Sequence, residues 1–185
     1  MQVCAELDGR VGLDFKYVVA VVGVYVDASV KDEERQMVDA SAKALGLELS
    51  VVEGLSNRLE RELAQRSGSG GAGTWTRQGL ASAASGESYR FLLVLELGDR
   101  SLSTALTHDR IAAHDFFAIR NIANDIVLAL DHLHENERIH ADLKPLNIVR
   151  VASKWQLIDL DVSCVLNASF GSKVPSSGYC PPEMA

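Results

Sequence analysis

The chain has 185 residues, of which 47% are hydrophobic, so it is one globular domain or a part of a larger one. A formal net charge of −7 excludes a general nucleic-acid binder, which needs a basic surface. The start, MQVCAELDGR, lacks a basic stretch followed by an apolar run, and the apolar runs Tyr17–Val26 and Phe91–Leu97 are too short to cross a bilayer; neither a signal peptide nor membrane insertion is expected. The three cysteines, Cys4, Cys164 and Cys180, are scattered and have no metal-ligand spacing, which fits reduced thiols in a cytoplasmic or nuclear setting.

In chain order, YVVAVVGVYV is rich in β-branched residues and predicts a buried strand. VKDEERQMVDASAKALG predicts a helix, with Asp32, Glu33 and Glu34 at its favourable N-terminal end and Gly46 stopping it. LELSVV alternates like a short strand, and LSNRLERELAQR predicts a second helix. The tract from Ser67 to Ser88 is dominated by Gly, Ser and Ala and is expected to be a flexible insert. YRFLLVLEL predicts a strand, followed by a turn at Gly98 and Asp99. HDFFAIRNIANDIVLALDHLHEN predicts a long helix, with Phe116, Ile119, Ile122, Ile126, Leu130 and Leu133 forming one apolar face. Short strands follow at NIVRV and WQLIDL, and the tail from Asp161 is irregular.

The stretch RIHADLKPLNIVR places a His, an Asp, a Lys, a Pro and an Asn between the long helix and the two short strands. A loop braced in this way can hold an acid, a base and a cation in fixed positions, as group transfer needs. A second acid, Asp159, ends the WQLID strand. Together Asp142, Lys144, Asn147 and Asp159 offer a base, a cation and two oxygen ligands for a hard metal such as Mg²⁺; nothing in the set suits zinc.

At these residues the chain resembles the protein kinase family. HADLKPLN is similar to the kinase catalytic loop H-R-D-x-K-P-x-N, IDLDVS to the D-F-G region, and SSGYCPPE to the end of the activation segment. The three motifs stand in the family's order, and the resemblance covers about residues 89–185. It implies an α+β, two-lobed protein kinase-like fold, present here in part: some small-lobe strands and the first half of the helical large lobe. Residues 1–98 would be small lobe, with a long insert at about 27–88, and residues 99–185 large lobe. It further implies a serine/threonine protein kinase that moves the γ-phosphoryl group of ATP to a protein Ser or Thr hydroxyl. Asp142 would accept the hydroxyl proton, Lys144 would stabilise the transferred group, and Asn147 and Asp159 would hold Mg²⁺. The strand entering the hinge would bring the backbone of Glu96, Leu97 and Gly98 to adenine, with Leu95 at the gatekeeper position, and Ser176 would brace the catalytic Asp. Lys144, two places after Asp142, is the serine/threonine rather than the tyrosine pattern.

The chain departs from that pattern at Ala141 for Arg, Leu160 for Phe, Asp161 for Gly and Pro181 for Ala. None of these removes a catalytic atom, though Asp161 gives up backbone freedom. A glycine-rich loop and a strand Lys in a V-A-I-K setting are not found, so the chain resembles the middle of a kinase, truncated at both ends. The spacing from Glu6 through Leu13 to YVV is similar to the end of kinase helix C, which makes Glu6 the helix acid and places its Lys partner upstream of Met1. GSGGAG, Gly68 to Gly73, fits G-x-G-x-x-G only formally, since it lacks a preceding strand.

Blander readings stand beside these. His140 reads as a packed structural residue, and His132 and His134 as residues suited to a helix end rather than metal ligands. A pseudokinase or kinase-like scaffold without activity is the second reading of the whole. For Tyr17 to Arg66 alone, strand, helix, strand, helix could be a small α/β unit, which a parallel pairing of its two strands would support.

Overall fold

The computed structural model describes residues 2–59, 61, 89–109, 111, 115–168 and 177–179. The Gly/Ser tract with its GSGGAG match, Ser176, Cys180, Pro181 and Glu183 lie outside the described residues. The chain forms two compact units, one of residues 1–21 and 95–185 and one of residues 22–94. The elements are helices and short sheets, an α+β arrangement.

In the first unit, helix α1 (Gln2–Asp8) buries Leu7 and runs into a series of tight turns. Val18 is fully buried and bridges Leu157; the Val19 N–H donates to Leu157 O and the Leu157 N–H to Tyr17 O. The Glu96 N–H donates to Ala20 O, and the chain then turns through Gly98. A Cβ on Gly98 would lie 2.1 Å from Val149 Cγ1, so only glycine allows this approach. Strands β4 (Arg100–Ser101), β6 (Ile148–Val151) and β7 (Lys154–Leu157) form an antiparallel sheet in the order β4-β6-β7. The two-residue turn at Ala152 and Ser153 closes the β6–β7 hairpin, with Ala152 at φ +53° as such tight turns require. Strands β5 (Arg138–Ile139) and β8 (Cys164–Val165) pair antiparallel.

Two helices pack on this frame. Helix α3 (Leu102–His108) has no counterpart in the sequence expectation; Ser101 caps it, its Oγ accepting the Thr104 N–H at 3.2 Å, and Leu102 and Ala105 go into the core. Helix α4 (Phe116–Glu135) is the predicted long helix, capped by Asp115, whose Oδ1 accepts the Ala118 N–H at 2.8 Å. Its inner face keeps Ile122, Ile126, Leu130 and Leu133 of the expected stripe against the core and departs from it at the N-terminal end. Ile122, Asp125, Ala129 and Leu133 are buried, while Phe116 is 77% and Ile119 37% exposed. The helix is turned so that small Ala129 and the Asp125 carboxylate face β7. Asp125 accepts the Trp155 N–H at 3.2 Å and the Lys154 Nζ at 2.9 Å, and these bonds set the rotation. Leu13, Val18, Leu102, Ala105, Ile122, Ala129, Leu133, Ile148, Trp155, Leu157 and Leu160 form one core. Each large side chain fully buried there is worth about 1.5–3 kcal/mol.

The second unit is a βαβ arrangement. Strand β1 (Val21–Asp27) pairs parallel with β2 (Leu49–Val52) in the register Val24 to Leu49 through Asp27 to Val52, and helix α2 (Asp32–Ala44) makes the crossover. Strand β3 (Phe91–Leu95) lies on the other side of β1, giving the order β2-β1-β3. The Asp27 N–H donates to Arg90 O, so the start of β3 meets the end of β1. The parallel pairing that a small α/β unit calls for is therefore present, inserted between two strands that still pair with each other. Asp27 closes the unit: Oδ1 accepts the Ser29 N–H and Oγ–H, Oδ2 accepts the Leu55 N–H at 2.7 Å, and these bonds hold its carboxyl below the usual range. Of the helix expected at Leu55 to Arg66, residues 55–59 and 61 are helical, and the others lie outside the described residues. Among the described residues no helix is long and apolar enough to cross a membrane.

Candidate active site

The polar loop begins where β5 ends. His140 is buried, with Nδ1 accepting the Asp142 N–H at 3.3 Å and Nε2–H donating to Ile158 O at 3.0 Å. Both ring nitrogens are thus used to tie the loop to the strand that leads to Asp159. Burial holds the His140 pKa below its ordinary value, with the Arg10 guanidinium adding to the effect against the opposing pull of Asp142 and the hydrogen bonds. The neutral ring is a fixed spacer, as the sequence reading expected. Ala141 sits at φ +66°, an uncommon conformation for a residue with a Cβ, and this turns the chain so that Asp142 faces inward.

Asp142, Lys144, Asn147 and Asp159 are brought together. Lys144 Nζ donates to Asp142 Oδ2 at 2.5 Å, both side chains being mostly buried. Asn147 lies in a 3₁₀ turn, Pro145–Asn147, and is buried. Its Nδ2 donates to Asp142 O at 3.0 Å, to Asp142 Oδ2 at 3.2 Å and to Asp159 Oδ2 at 3.3 Å. One amide thereby links the two acids. The Ile158 N–H donates to Asn147 O, which anchors the strand exit beside the loop. Asp159 itself stands at φ +66°, a conformation that Asp tolerates better than most side chains.

The electrostatics favour a cation. The Asp159 pKa is raised to about 6, first by burial, then by the neighbouring carboxylates of Asp161 and Glu6; Lys144 pulls it down but does not prevail. Carboxylate oxygens of Glu6, Asp159 and Asp161 all lie within 4.8 Å of one another. Excess negative charge on hard oxygen donors is what a divalent ion such as Mg²⁺ relieves, so the residues fit that group.

Leu95, Glu96, Leu97 and Gly98, which the resemblance would bring to adenine, lie at and just after the end of β3. Leu95 ends β3, the Glu96 N–H is engaged by Ala20 O, Leu97 is exposed, and Gly98 packs on Val149. Glu96 can thus offer a ligand its carbonyl but not its N–H.

Two residues of the site went unnoticed in the sequence. Arg10 is fully buried and its Nη1 lies 2.5 Å from Glu6 Oε1, a partner for Glu6 supplied from the same segment. The spacing of four residues between Glu6 and Arg10 was the available signal. Gly9 is the other: a Cβ there would lie 2.8 Å from Leu160 O and from Ser163 Oγ, so its bareness lets the segment after Asp159 rest on α1. His132 takes no part in the site; its Nε2 accepts the Asp14 N–H at 2.8 Å and its ring stacks on Tyr17.

Comparison with known proteins gives the same direction. A family model, the protein kinase domain, matches residues 80–185. Serine/threonine-protein kinase Kist of Homo sapiens is 34% identical over 93 residues, 49% of this chain and 22% of Kist. The rat protein of the same name matches equally over 93 residues. Meiosis induction protein kinase IME2/SME1 of Saccharomyces cerevisiae is 32% identical over 63 residues, 34% of this chain and 10% of that protein. The chain thus spans about a fifth, or less, of the length of the curated relatives it matches. With its motifs matched from within residues 80–185, the chain belongs to the protein kinase family.

Proposed function

We propose that this chain carries the catalytic and metal-binding loops of a serine/threonine protein kinase that uses ATP and Mg²⁺ to phosphorylate a protein hydroxyl. The observation that carries the reading is the Asn147 amide joined to both Asp142 and Asp159. Asp142 accepts the proton of the Ser or Thr hydroxyl as its oxygen bonds to the γ-phosphorus and the bond to the bridging oxygen breaks, releasing ADP. Lys144 pairs with the Asp142 carboxylate, and its charge would stabilise the transferred phosphoryl group. The Asn147 side-chain oxygen and the Asp159 carboxylate would hold Mg²⁺, which supplies neutralisation of the phosphates. The carbonyl side of Glu96 to Gly98, with Leu95, would receive adenine. In this reading residues 1–98 contribute small-lobe structure with an insert at about 27–88, and residues 99–185 the large-lobe loops. The serine/threonine acceptor is supported by Lys144 two places after Asp142 and by the similarity to serine/threonine-protein kinase Kist.

A second reading, a kinase-like binding module without transfer activity, is favoured by one observation: the Asp161 carboxylate stands beside Asp159 where the family has glycine. The two separate in a protein that joins this chain to a glycine-rich loop and a strand lysine. There Asp142→Asn lowers phosphate transfer to a Ser/Thr peptide by about 10²–10⁴-fold with nucleotide affinity nearly unchanged. Equal transfer by the variant removes Asp142 from the mechanism, and absence of transfer by the unaltered protein selects the binding module.

A further inference from the structure

Asp159 keeps an uncommon backbone. A residue other than glycine at φ +66° stays there only where its surroundings hold it from both sides. On the upstream side the Ile158 N–H donates to Asn147 O, and Ile158 O accepts from His140 Nε2. The downstream side is held by a turn. Leu160 is fully buried, and its carbonyl accepts the Ser163 N–H at 3.0 Å and the Ser163 hydroxyl at 2.6 Å, with Asp161 and Val162 at the centre of the turn so closed. This turn rests on α1 near both ends of the helix. Just past the helix end, Gly9 leaves room for Leu160 O and Ser163 Oγ. At the helix start, Gln2 Nε2 donates to Asp161 Oδ2 at 2.6 Å. Asp161 does not take a positive φ, so the backbone there has no need of the glycine of the family pattern. Its side chain supplies what a glycine lacks, an acceptor for α1.

We propose that Asp161 is a positioning residue: bonded to Gln2, it fastens the turn after Asp159 to α1 and so holds Asp159 in the backbone conformation that brings its carboxylate to Asn147. The inference rests on the proposed function only in giving Asp159 a part in the reaction. The Asp161 carboxylate lies within 4.8 Å of those of Glu6 and Asp159, and the Gln2 donor offsets part of the repulsion among the three. The bond is open to solvent, so it adds little to overall stability and acts on the local opening of the turn.

The test is amide hydrogen exchange in the 185-residue chain, followed by nuclear magnetic resonance. The Ser163 N–H, bonded across the turn, reports its opening, and the Ile158 N–H, bonded to Asn147 O, is the upstream control. Gln2→Ala should speed exchange at Ser163 about three- to tenfold, the range for the net contribution of one hydrogen bond. It should leave Ile158 unchanged and shift the resonance of the Asn147 side-chain amide. Gln2→Lys keeps a donor for the carboxylate and should restore both readouts. Asp161→Ala should match Gln2→Ala at Ser163, and the two together should do no more than either, because they break one contact. A merely structural loss would speed Ile158 as well and would not be rescued by lysine. Unchanged exchange at Ser163 in Gln2→Ala overturns the proposal. So does an equal rise at Ile158, an unshifted Asn147 amide, a failure of Gln2→Lys to restore, or additive effects in the double variant. None of these rates depends on phosphate transfer. If Mn²⁺·ADP leaves the Asn147 amide sharp, the functional reading falls, while the exchange rates still decide the role of Asp161.

Discussion

Asp125 joins α4 to the β6–β7 hairpin, at whose open end lie Asn147 and the strand leading to Asp159. Only 8% of the residue is exposed. Its Oδ2 accepts the buried Trp155 N–H at 3.2 Å and its Oδ1 accepts Lys154 Nζ at 2.9 Å, from a side chain 56% exposed. In Asp125→Ala the charged acceptor goes and the Trp155 N–H is left buried without it, a loss of about 1.5–3 kcal/mol. The exposed lysine end adds only about 0.5 kcal/mol, because solvent screens it. The expected cost is therefore about 2–3.5 kcal/mol, or roughly 5–12 °C in melting temperature for a chain of this size. Asp125→Asn keeps an oxygen for the Trp155 N–H and loses mainly the lysine pair, so its cost should stay near 1 kcal/mol. Urea unfolding followed by far-ultraviolet circular dichroism measures both. Equal losses in the two variants, or a loss under about 1 kcal/mol in Asp125→Ala, would refute the claim that the Trp155 bond sets this junction.

Two further outcomes follow from the site. Gly9→Ala places a Cβ 2.8 Å from Leu160 O and should lower stability by about 1–3 kcal/mol, since backbone rather than a flexible side chain must yield; an unchanged unfolding midpoint would show that the segment moves aside freely. Asp159 titrates near 6 in the folded chain against an ordinary 3.8, so folding favours its protonated form. The ionised carboxylate thus weakens the fold above pH 6, and that penalty fades as pH falls through 6 towards 3.8. Asp159→Asn, which mimics the protonated group, should raise the melting temperature at pH 7.5 and have little effect at pH 4; the same difference at both pH values would contradict the origin assigned to the shift.

Much of the site could be read from residue order because its parts are local. Asp142, Lys144 and Asn147 lie within one short loop, and the hairpin returns the chain to Asp159 by the pairing Ile148 to Leu157. Strand β1 and helix α4 announced themselves by β-branched content and by apolar spacing. What stayed hidden depends on contacts remote in sequence or on backbone conformation. Helix α3 is short and holds two threonines and a histidine, so its propensity is weak; Ser101 and the burial of Leu102 and Ala105 make it. The apolar spacing of α4 also pointed to Phe116 and Ile119, which are exposed, and gave no sign that Asp125 turns inward to bond Lys154 and Trp155. The positive φ angle of Ala141 has no signature in an alanine. The third carboxylate around Asp159 comes from α1, more than a hundred residues earlier in the chain.

The most direct test of the central claim uses Mn²⁺ with a nucleotide as a paramagnetic probe. Nuclei close to a bound Mn²⁺ lose their resonance signals, so weak binding by this chain is sufficient. If Asp142, Asn147 and Asp159 form the metal–nucleotide site, low amounts of Mn²⁺·ADP should first broaden the Asn147 side-chain amide and the backbone amides of Asp142 and Asp159. Excess Mg²⁺·ADP should restore them. Broadening that begins at other carboxylates and leaves the Asn147 amide sharp would contradict the account.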